Sequence, residues 1–420
     1  MLYSGLSSIS GSLIVVDGVH NPVSGEIVKI NENKTGRVVR IDGSRAVVAV
    51  FEGTHDMSLG KTTTHFTGRP MQIRLSEEII GRVFDGIGRP VDGLGQVPGE
   101  LRDINGAPIN PVAREYPRNV IQTGISAIDC LMTLIRGQKL PIFSGDGLPH
   151  DKIAAQILRQ SGDYSVVFCA MGVQHDTAAY FQQILTGNVC MFINLASDPV
   201  VERIAAPRAA LTAAEYMAYD LGLHVLVIMT DMTAYAEALR EISSSREEIP
   251  SRKGYPGYLY SELSSIFERA GIIRGKPGSL TQIPILSMPG DDITHPIPDL
   301  TGFITEGQIV LDRSLFQKGI YPPISILPSL SRLMKDGIGE KYTRSDHADI
   351  ANRTFASYAR VGEIRALAQV IGVEELSEPD RKYIEYGEAF ERRFLKQNHD
   401  ENRTISETLD LALELLELLE

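Results

Sequence analysis

Over the first seventy residues the apolar positions come in short runs. Stretches 12–16, 25–30, 37–41 and 45–51, with 71–75 just beyond, are rich in valine and isoleucine, and clusters of Gly, Asn, Asp and Thr separate them. That spacing predicts the short strands of a small barrel or sandwich. No helical period occurs before residue 120, so an all-β N-terminal domain is expected to end near Pro70. Residues 81–117 follow, dense in glycine and proline ("GRVFDGIGRPVDGLGQVPGE", then "NGAPINP"). Each such step marks a turn. The apolar residues between the turns predict a loop layer packed on the next domain rather than a free linker.

From about Gln122 apolar strands alternate with helical stretches: 139–143 then 152–160, 165–170 then 177–185, 190–194 then 201–219, and 224–230 then 235–242. This alternation predicts a parallel sheet with helices on both faces, which binds ligands at the carboxyl ends of its strands. The loops after Phe143, Ala170 and Thr230 are therefore where chemistry is expected. After about Thr343 the strands stop, and 346–358, 361–370, 378–395 and 404–419 read as helices. The last opens with Thr404 and Glu407 in capping-box spacing. Its leucines occupy more than one face, which calls for burial in a bundle or against a partner. The fold class expected is thus α/β: an N-terminal all-β domain (1–70), a central α/β domain built on a parallel sheet (71–343) and a C-terminal helical region (344–420).

Composition narrows the function. A chain of 420 residues exceeds one ordinary domain, and 43% apolar with 22% charged residues excludes wholesale disorder. The net charge of −12 does not attract polyphosphate backbones, so nucleic acid is not an expected partner. The best apolar run, 224–229, is one strand long, far short of a bilayer span, and residues 1–12 do not read as a signal peptide. Cys130, Cys169 and Cys190 cannot all pair and lack metal-ligand spacing, which predicts buried reduced thiols in a cytosolic protein and no metal site.

The loop after 139–143 sits where a P-loop, G-x-x-x-x-G-K-S/T, would be. It reads Ser144, Gly145, Asp146, Gly147, Leu148, Pro149, His150, Asp151. Ser144 takes the first glycine of the motif and Pro149 the second. Proline has no N–H to offer and cannot take the positive φ open to glycine. His150 replaces the lysine and is mostly neutral at pH 7. Asp151 replaces the magnesium-binding hydroxyl, and with Asp146 it adds negative charge where phosphates would sit. Lys152 falls in the first helical turn, out of reach of the loop's focus. No shift of frame yields the G-K-S/T triplet. From the motif alone, a P-loop fold that has lost its site and a turn that never had one stand near even. The strand 224–230 ends at Asp231, a pattern shared by magnesium-organising strands and by ordinary helix N-caps.

The segments "GRVFDGIGRPVDG", "INPVAREYPRNVIQTGISAIDCLMTLIRGQKLPIFSGDGLPH", "ASDPVVERIAAPRAALTAAEYMAYDLGLHVLVIMTDMTAYAEALREI", "GYPGYLYSELSSIFERAG", "TQIPILSMPGDDITHPIPDLTGFITEGQI" and "YPPISILPSLSRLM" closely resemble the B subunit of vacuolar and archaeal-type rotary ATPases, from about Phe51 to about Leu411. The resemblance implies a non-catalytic subunit of a proton- or sodium-translocating ATPase or ATP synthase, alternating with catalytic A subunits in an A3B3 ring. It further implies that the three segments are an N-terminal β-barrel (1–70), a central P-loop-type nucleotide-binding α/β domain (71–343) and a C-terminal helical bundle (344–420), with central-stalk D and F and peripheral-stalk E and G subunits as partners. Membrane contact would be only through the complex, on the cytoplasmic side. ATP or ADP with Mg2+ would sit at the A–B interface, held mainly by the A subunit. The family's degenerate "GLPH" stands here at Gly147 to His150, which makes Ser144, Gly145, Gly147 and His150 a vestigial cradle. Where catalytic relatives carry a water-activating glutamate, this chain has Val173. The neighbouring Gln174, His175 and Asp176 read as a solvated helix start.

In "PPISILPSLSRLM", Arg332 falls where the family places an arginine finger reaching into the neighbouring subunit, flanked by Ser329 and Ser331; the resemblance makes Arg332 and, secondarily, Ser329 candidate nucleotide contacts. A guanidinium stays protonated, and its forked donors match phosphate oxygens. Without the resemblance, a lone Arg after a Pro-rich loop reads as a surface salt bridge. Ser325 departs from the family's usual Asp, Asn or His but keeps a hydrogen-bonding group. The tyrosines of "GYPGYLY" suit either the A–B boundary or local packing. The loops at 161–163 and 186–188 are shorter than the family's, and Glu420 comes earlier than its usual end. Two alternatives remain: a self-sufficient motor of the same superfamily (a secretion ATPase or RNA translocase), which needs the missing loop lysine, and a scaffold with no site contribution.

Overall fold

A computed structural model describes residues 2–160, 162, 164–184, 187–246 and 248–420. The expected helix end at Leu185 and parts of the loops 161–163 and 186–188 lie outside the described residues. The chain clusters into two compact units. One joins the segment up to Pro108 with Val167–Tyr216 and Asp231–Arg269; the other comprises Ile109–Val166, Met217–Thr230 and Ala270–Glu420.

The first unit opens with a seven-stranded antiparallel sheet. Its order is Leu2–Ser4, Thr63–Pro70, Glu26–Ile30, Lys34–Asp42, Arg45–Val50, Leu13–Val16, Ser8–Ser10. Every second residue points inward, and Ile14, Val16, Val28, Ile30, Val38, Val48 and Phe66 build one apolar core. Three of these strands are absent from the sequence reading. Leu2–Ser4 and Ser8–Ser10 are three residues each and half serine. Thr63–Pro70 carries polar residues, but Thr64 and Phe66 alternate inward, which is all a half-buried strand requires. The run at 71–75 is not part of this sheet: Gln72–Leu75 pairs antiparallel with Glu100–Asp103.

The glycine-rich stretch after residue 81 is structured. Val83–Asp85 pairs in parallel with Val189–Leu195, and Phe84 stacks on Phe192 with centroids 5.0 Å apart. Gly86 lies close against Glu202: its N–H donates to Glu202 Oε1 at 3.0 Å, and a Cβ there would meet Glu202 Cγ at 2.8 Å and force a shift. Helices His175–Ile184, Val200–Glu215, Met232–Ser245 and Leu259–Phe267 belong to the same unit.

In the second unit the strands run Ile324–Ser331, Gly307–Leu311, Ile142–Gly145, Ser279–Met288, His224–Thr230. The last four are mutually parallel, and Ile324–Ser331 is antiparallel at the edge. Ser279–Met288 is buried along nearly its whole length, as a central strand covered on both faces must be. The helical bundle follows. One 25-residue helix, His347–Ile371, replaces the two expected at 346–358 and 361–370. The joint, Ala359 and Arg360, is made of good helix formers, so nothing interrupts it. Glu378–Ala389 continues through a wider turn to Leu395, burying Phe390 and Phe394 with ring centroids 4.8 Å apart. The helix Ile405–Leu416 carries the expected capping box: Thr404 Oγ1 accepts from the Glu407 N–H at 3.2 Å, and Glu407 Oε2 accepts from the Thr404 N–H at 2.8 Å. Its Leu409, Leu415 and Leu416 are buried.

Candidate functional site

Ile142–Gly145 delivers the loop and His150–Gln160 receives it, so the strand–loop–helix setting is present. Gly147 takes φ 77°, a left-handed conformation natural to glycine. The Leu148 N–H donates to the Gly145 carbonyl at 3.1 Å, and the Ile153 N–H donates to the Pro149 carbonyl at 3.1 Å. Leu148 itself is buried. Ser144 Oγ lies 3.1 Å from His150 Nδ1, and His150 Nε2 is 3.6 Å from Asp151 Oδ1. The polar groups of the loop thus close onto one another. Lys152 is exposed in the first turn of the helix, as expected.

Two residues missed by sequence reasoning complete this picture. Arg313 donates from Nε to Asp291 Oδ2 at 2.8 Å and from Nη2 to Asp291 Oδ1 at 2.9 Å. The same Nη2 reaches the Asp146 carbonyl at 2.9 Å. Arg313 holds the Asp291 carboxyl below its ordinary pKa. A Cβ on Gly145 would come within 1.9 Å of Asp291 Oδ1, so the carboxylate lies directly against the loop backbone. The Arg313 guanidinium beside the cradle is already held bidentately by a carboxylate. With Asp146, Asp151 and Asp291 around it and no lysine, this residue set does not fit a magnesium–triphosphate. No local pattern around Asp291 or Arg313 could have revealed the pair, because 22 residues separate them.

Arg332 follows the edge strand Ile324–Ser331. Its side chain is exposed, and its Nη1 donates to the Thr305 carbonyl at 2.9 Å and Nη2 to the Gly302 carbonyl at 3.4 Å. These carbonyls end the helix Pro296–Ile304, where the helix dipole favours a cation. Its backbone N–H donates to the Glu306 carbonyl at 2.8 Å. The Glu306 carboxylate is taken by Lys139, with Nζ to Oε1 at 2.8 Å and the Lys139 N–H to Oε2 at 2.8 Å. No carboxylate lies within ion-pair distance of Arg332 among the described residues.

Ser329 and Ser331 serve the fold. Ser329 Oγ donates to the Ser325 carbonyl at 2.5 Å and accepts from the Val310 N–H at 2.8 Å, filling the irregularity in the ladder between Gly307–Leu311 and Ile324–Ser331. It is buried and does not offer its hydroxyl to a ligand. Ser331 Oγ donates to the Thr133 carbonyl at 3.1 Å and accepts from Gln138 Nε2 at 2.8 Å.

In the first unit, Val173 ends its strand half-buried, and Gln174, His175 and Asp176 are exposed at the start of His175–Ile184. Asp231 is an N-cap, accepting from the Thr233 N–H at 2.7 Å. Tyr255 is buried with its hydroxyl on Glu237, local packing, whereas Tyr260 is exposed. The three cysteines are buried thiols, and burial pushes each one's pKa up. Among the described residues no His, Cys, Asp and Glu cluster could hold a metal, and no helix is long and apolar enough to cross a membrane.

Residues 124–331 match the ATP synthase alpha/beta family, nucleotide-binding domain, and residues 336–420 match the C-terminal domain of V and A type ATP synthase. The V-type ATP synthase beta chain 2 of Clostridium tetani is 59% identical over 99% of this chain and 95% of its own length. The B subunit of the A-type ATP synthase of Aeropyrum pernix is 55% identical over 99% and 94%. A solved structure, a unique ATP synthase subunit NeqB from Nanoarcheaum equitans, superposes with a TM-score of 0.78 at 40% identity, covering 97% of this chain and 99% of that one. A degenerate phosphate loop, a V/A-type C-terminal bundle and near full-length identity above one half all converge: the chain belongs to the B-subunit (beta-chain) family of V-type and A-type ATP synthases.

Proposed function

We propose that this chain is the non-catalytic partner in a ring with a catalytic A subunit, and that it supplies Arg332 in trans to the ATP site held by that neighbour. The observation that carries this reading is an exposed guanidinium anchored, among the described residues, by backbone carbonyls alone. Carbonyls fix its direction without cancelling its charge, so the cation stays available to an external phosphoryl group. The chain's own loop lacks the lysine and hydroxyl for magnesium–nucleotide chemistry, which assigns the nucleotide and its Mg2+ mainly to the neighbour. Ser144, Gly145, Gly147 and His150 are then vestigial, and Ser329 supports the strand that carries the finger. In this reading the layout is 1–70, 71–343 and 344–420, with D and F central-stalk and E and G peripheral-stalk subunits as further partners on the cytoplasmic side of a membrane.

In the ring, the Arg332 fork binds phosphoryl oxygens and its charge meets the negative charge that develops during transfer. The test is ATP turnover by a reconstituted complex carrying Arg332→Ala, with ring assembly checked in parallel. An assembled ring with turnover near the parent's would remove the assignment. Brisk Mg2+-dependent hydrolysis by the isolated chain would instead favour a self-sufficient motor.

A further inference from the structure

Within the first unit lies a cavity of about 400 Å3, the size range of small-molecule sites. Three arginines from three elements line it. Arg37 comes from the strand Lys34–Asp42, Arg208 from the helix Val200–Glu215, and Arg246 from the C-terminal cap of Met232–Ser245.

Their partners do not balance them. Arg208 Nη2 donates to Glu262 Oε2 at 2.6 Å and to Ser265 Oγ at 3.1 Å, and the same carboxylate oxygen accepts from the Tyr235 hydroxyl at 3.2 Å. Arg246 Nη1 reaches Glu248 Oε1 only at 3.4 Å, while its Nε is buried without a hydrogen-bond partner among the described residues. Arg37 has a single long hydrogen bond, Nη2 to Asn105 Oδ1 at 3.5 Å, and no carboxylate at ion-pair distance among the described residues. Burial and then the Arg208 charge hold the Arg37 guanidinium below its ordinary pKa, Glu262 opposes them, and Arg246 adds a further downward push. Among the described residues, three fixed cations therefore face two carboxylates, Glu262 and Glu248, that are already engaged. An unmatched half-buried cation is costly, so the arrangement favours an anion from outside. Beside the charges, Val201, Ile204, Leu239 and Ile242 form an apolar wall.

We propose that this cavity is a binding site for a small organic anion, with one phosphate or carboxylate group held by Arg37 and Arg246 and an apolar body against the Val201–Ile242 wall. Forked guanidinium donors match either oxyanion. The site shares no residue with the loop at 144–151 or with Arg332, so it stands independently of the finger.

Calorimetric titration of the purified full-length chain with phenyl phosphate, benzoate, inorganic phosphate and benzyl alcohol tests it. The expected result is saturable binding of an aromatic anion, weaker binding of inorganic phosphate and none of benzyl alcohol. The ratio of phenyl phosphate to benzoate affinity identifies the preferred oxyanion. Arg37→Gln should weaken the aromatic anion by about tenfold or more, and Arg37→Lys should keep part of the affinity, each with an unchanged melting curve. If Arg37→Gln does not fold, Arg246→Gln carries the same expectation. Failure of both aromatic anions to saturate, or binding untouched by loss of the guanidinium, would overturn the proposal.

Discussion

Two charged regions of the second unit differ in how their charges end. At the loop 144–151, Arg313 is held bidentately by Asp291 and bonded to the Asp146 carbonyl, and Ser144 and His150 contact each other. At the end of Ile324–Ser331, Arg332 is held by two carbonyls while the nearby carboxylate of Glu306 goes to Lys139. The loop is internally satisfied; Arg332 is oriented but left charged. The lesson is that an arginine's place in the fold says little until its partners are known: one guanidinium is cancelled by a carboxylate, while the other is oriented by carbonyls that leave its charge in place.

The sharpest way to break this comparison is at Arg332. Arg332→Ala should lower ATP turnover of the assembled ring by ~10³–10⁵ and leave the chain's own melting curve nearly unchanged. Arg332→Lys, with charge but no fork, should fall between. Turnover tracking chain stability instead would make Arg332 an ordinary structural residue.

Next in size is Glu306→Gln. It takes the carboxylate charge away from the buried Lys139 ammonium, whose side chain is 4% exposed. The expected cost is about 3 kcal/mol, read from urea midpoints. A neutral outcome would mean that Glu306 is not committed to Lys139 and is free to neutralise Arg332. A third experiment addresses the loop. His150→Lys with Asp151→Thr restores the motif's charge and hydroxyl, yet affinity of the isolated chain for an ATP analogue should change by less than about threefold. Pro149 still lacks an N–H, and Asp291 still lies against Gly145. Adding Pro149→Gly and Asp291→Ala should then raise it; a full gain from the first two changes alone would show that the ion pair is no obstacle.

The smallest effect concerns pH. Asp291's carboxyl is held below its ordinary pKa by Arg313, so their pairing supports the fold at pH above the ordinary carboxylate value. That support is lost as pH falls through the lowered value. The stability difference between the parent and Arg313→Gln should be constant above about pH 4 and vanish toward lower pH, and urea unfolding across that range checks it.

Much of the layout was legible because it rests on local chemistry. Valine- and isoleucine-rich runs bounded by turn residues marked Glu26–Ile30 and Arg45–Val50, and Thr404 with Glu407 marked a helix start that the structure reproduces to the atom. The missing loop lysine needed no coordinates. Thr63–Pro70 was hidden by its polar composition, and the helix His347–Ile371 was divided in the reading although no breaker divides it. Ser329 flanks Arg332 in sequence, but its hydroxyl faces Ser325 and Val310, a direction set by a ladder irregularity that no spacing reveals.

By itself, then, the sequence determined the α/β class, the absence of a G-K-S/T triplet from the loop at 144–151 and the position of Arg332 just after a proline-rich strand, because residue type and short-range period are properties of the chain. Only the tertiary structure decided which charges are cancelled. Arg313 meets Asp291 from 22 residues away and Lys139 meets Glu306 from 167, and the three cavity arginines converge from separate elements. Electrostatic pairing depends on distance in space, and for these groups that distance exists only once the sheet and its helices have brought remote segments together.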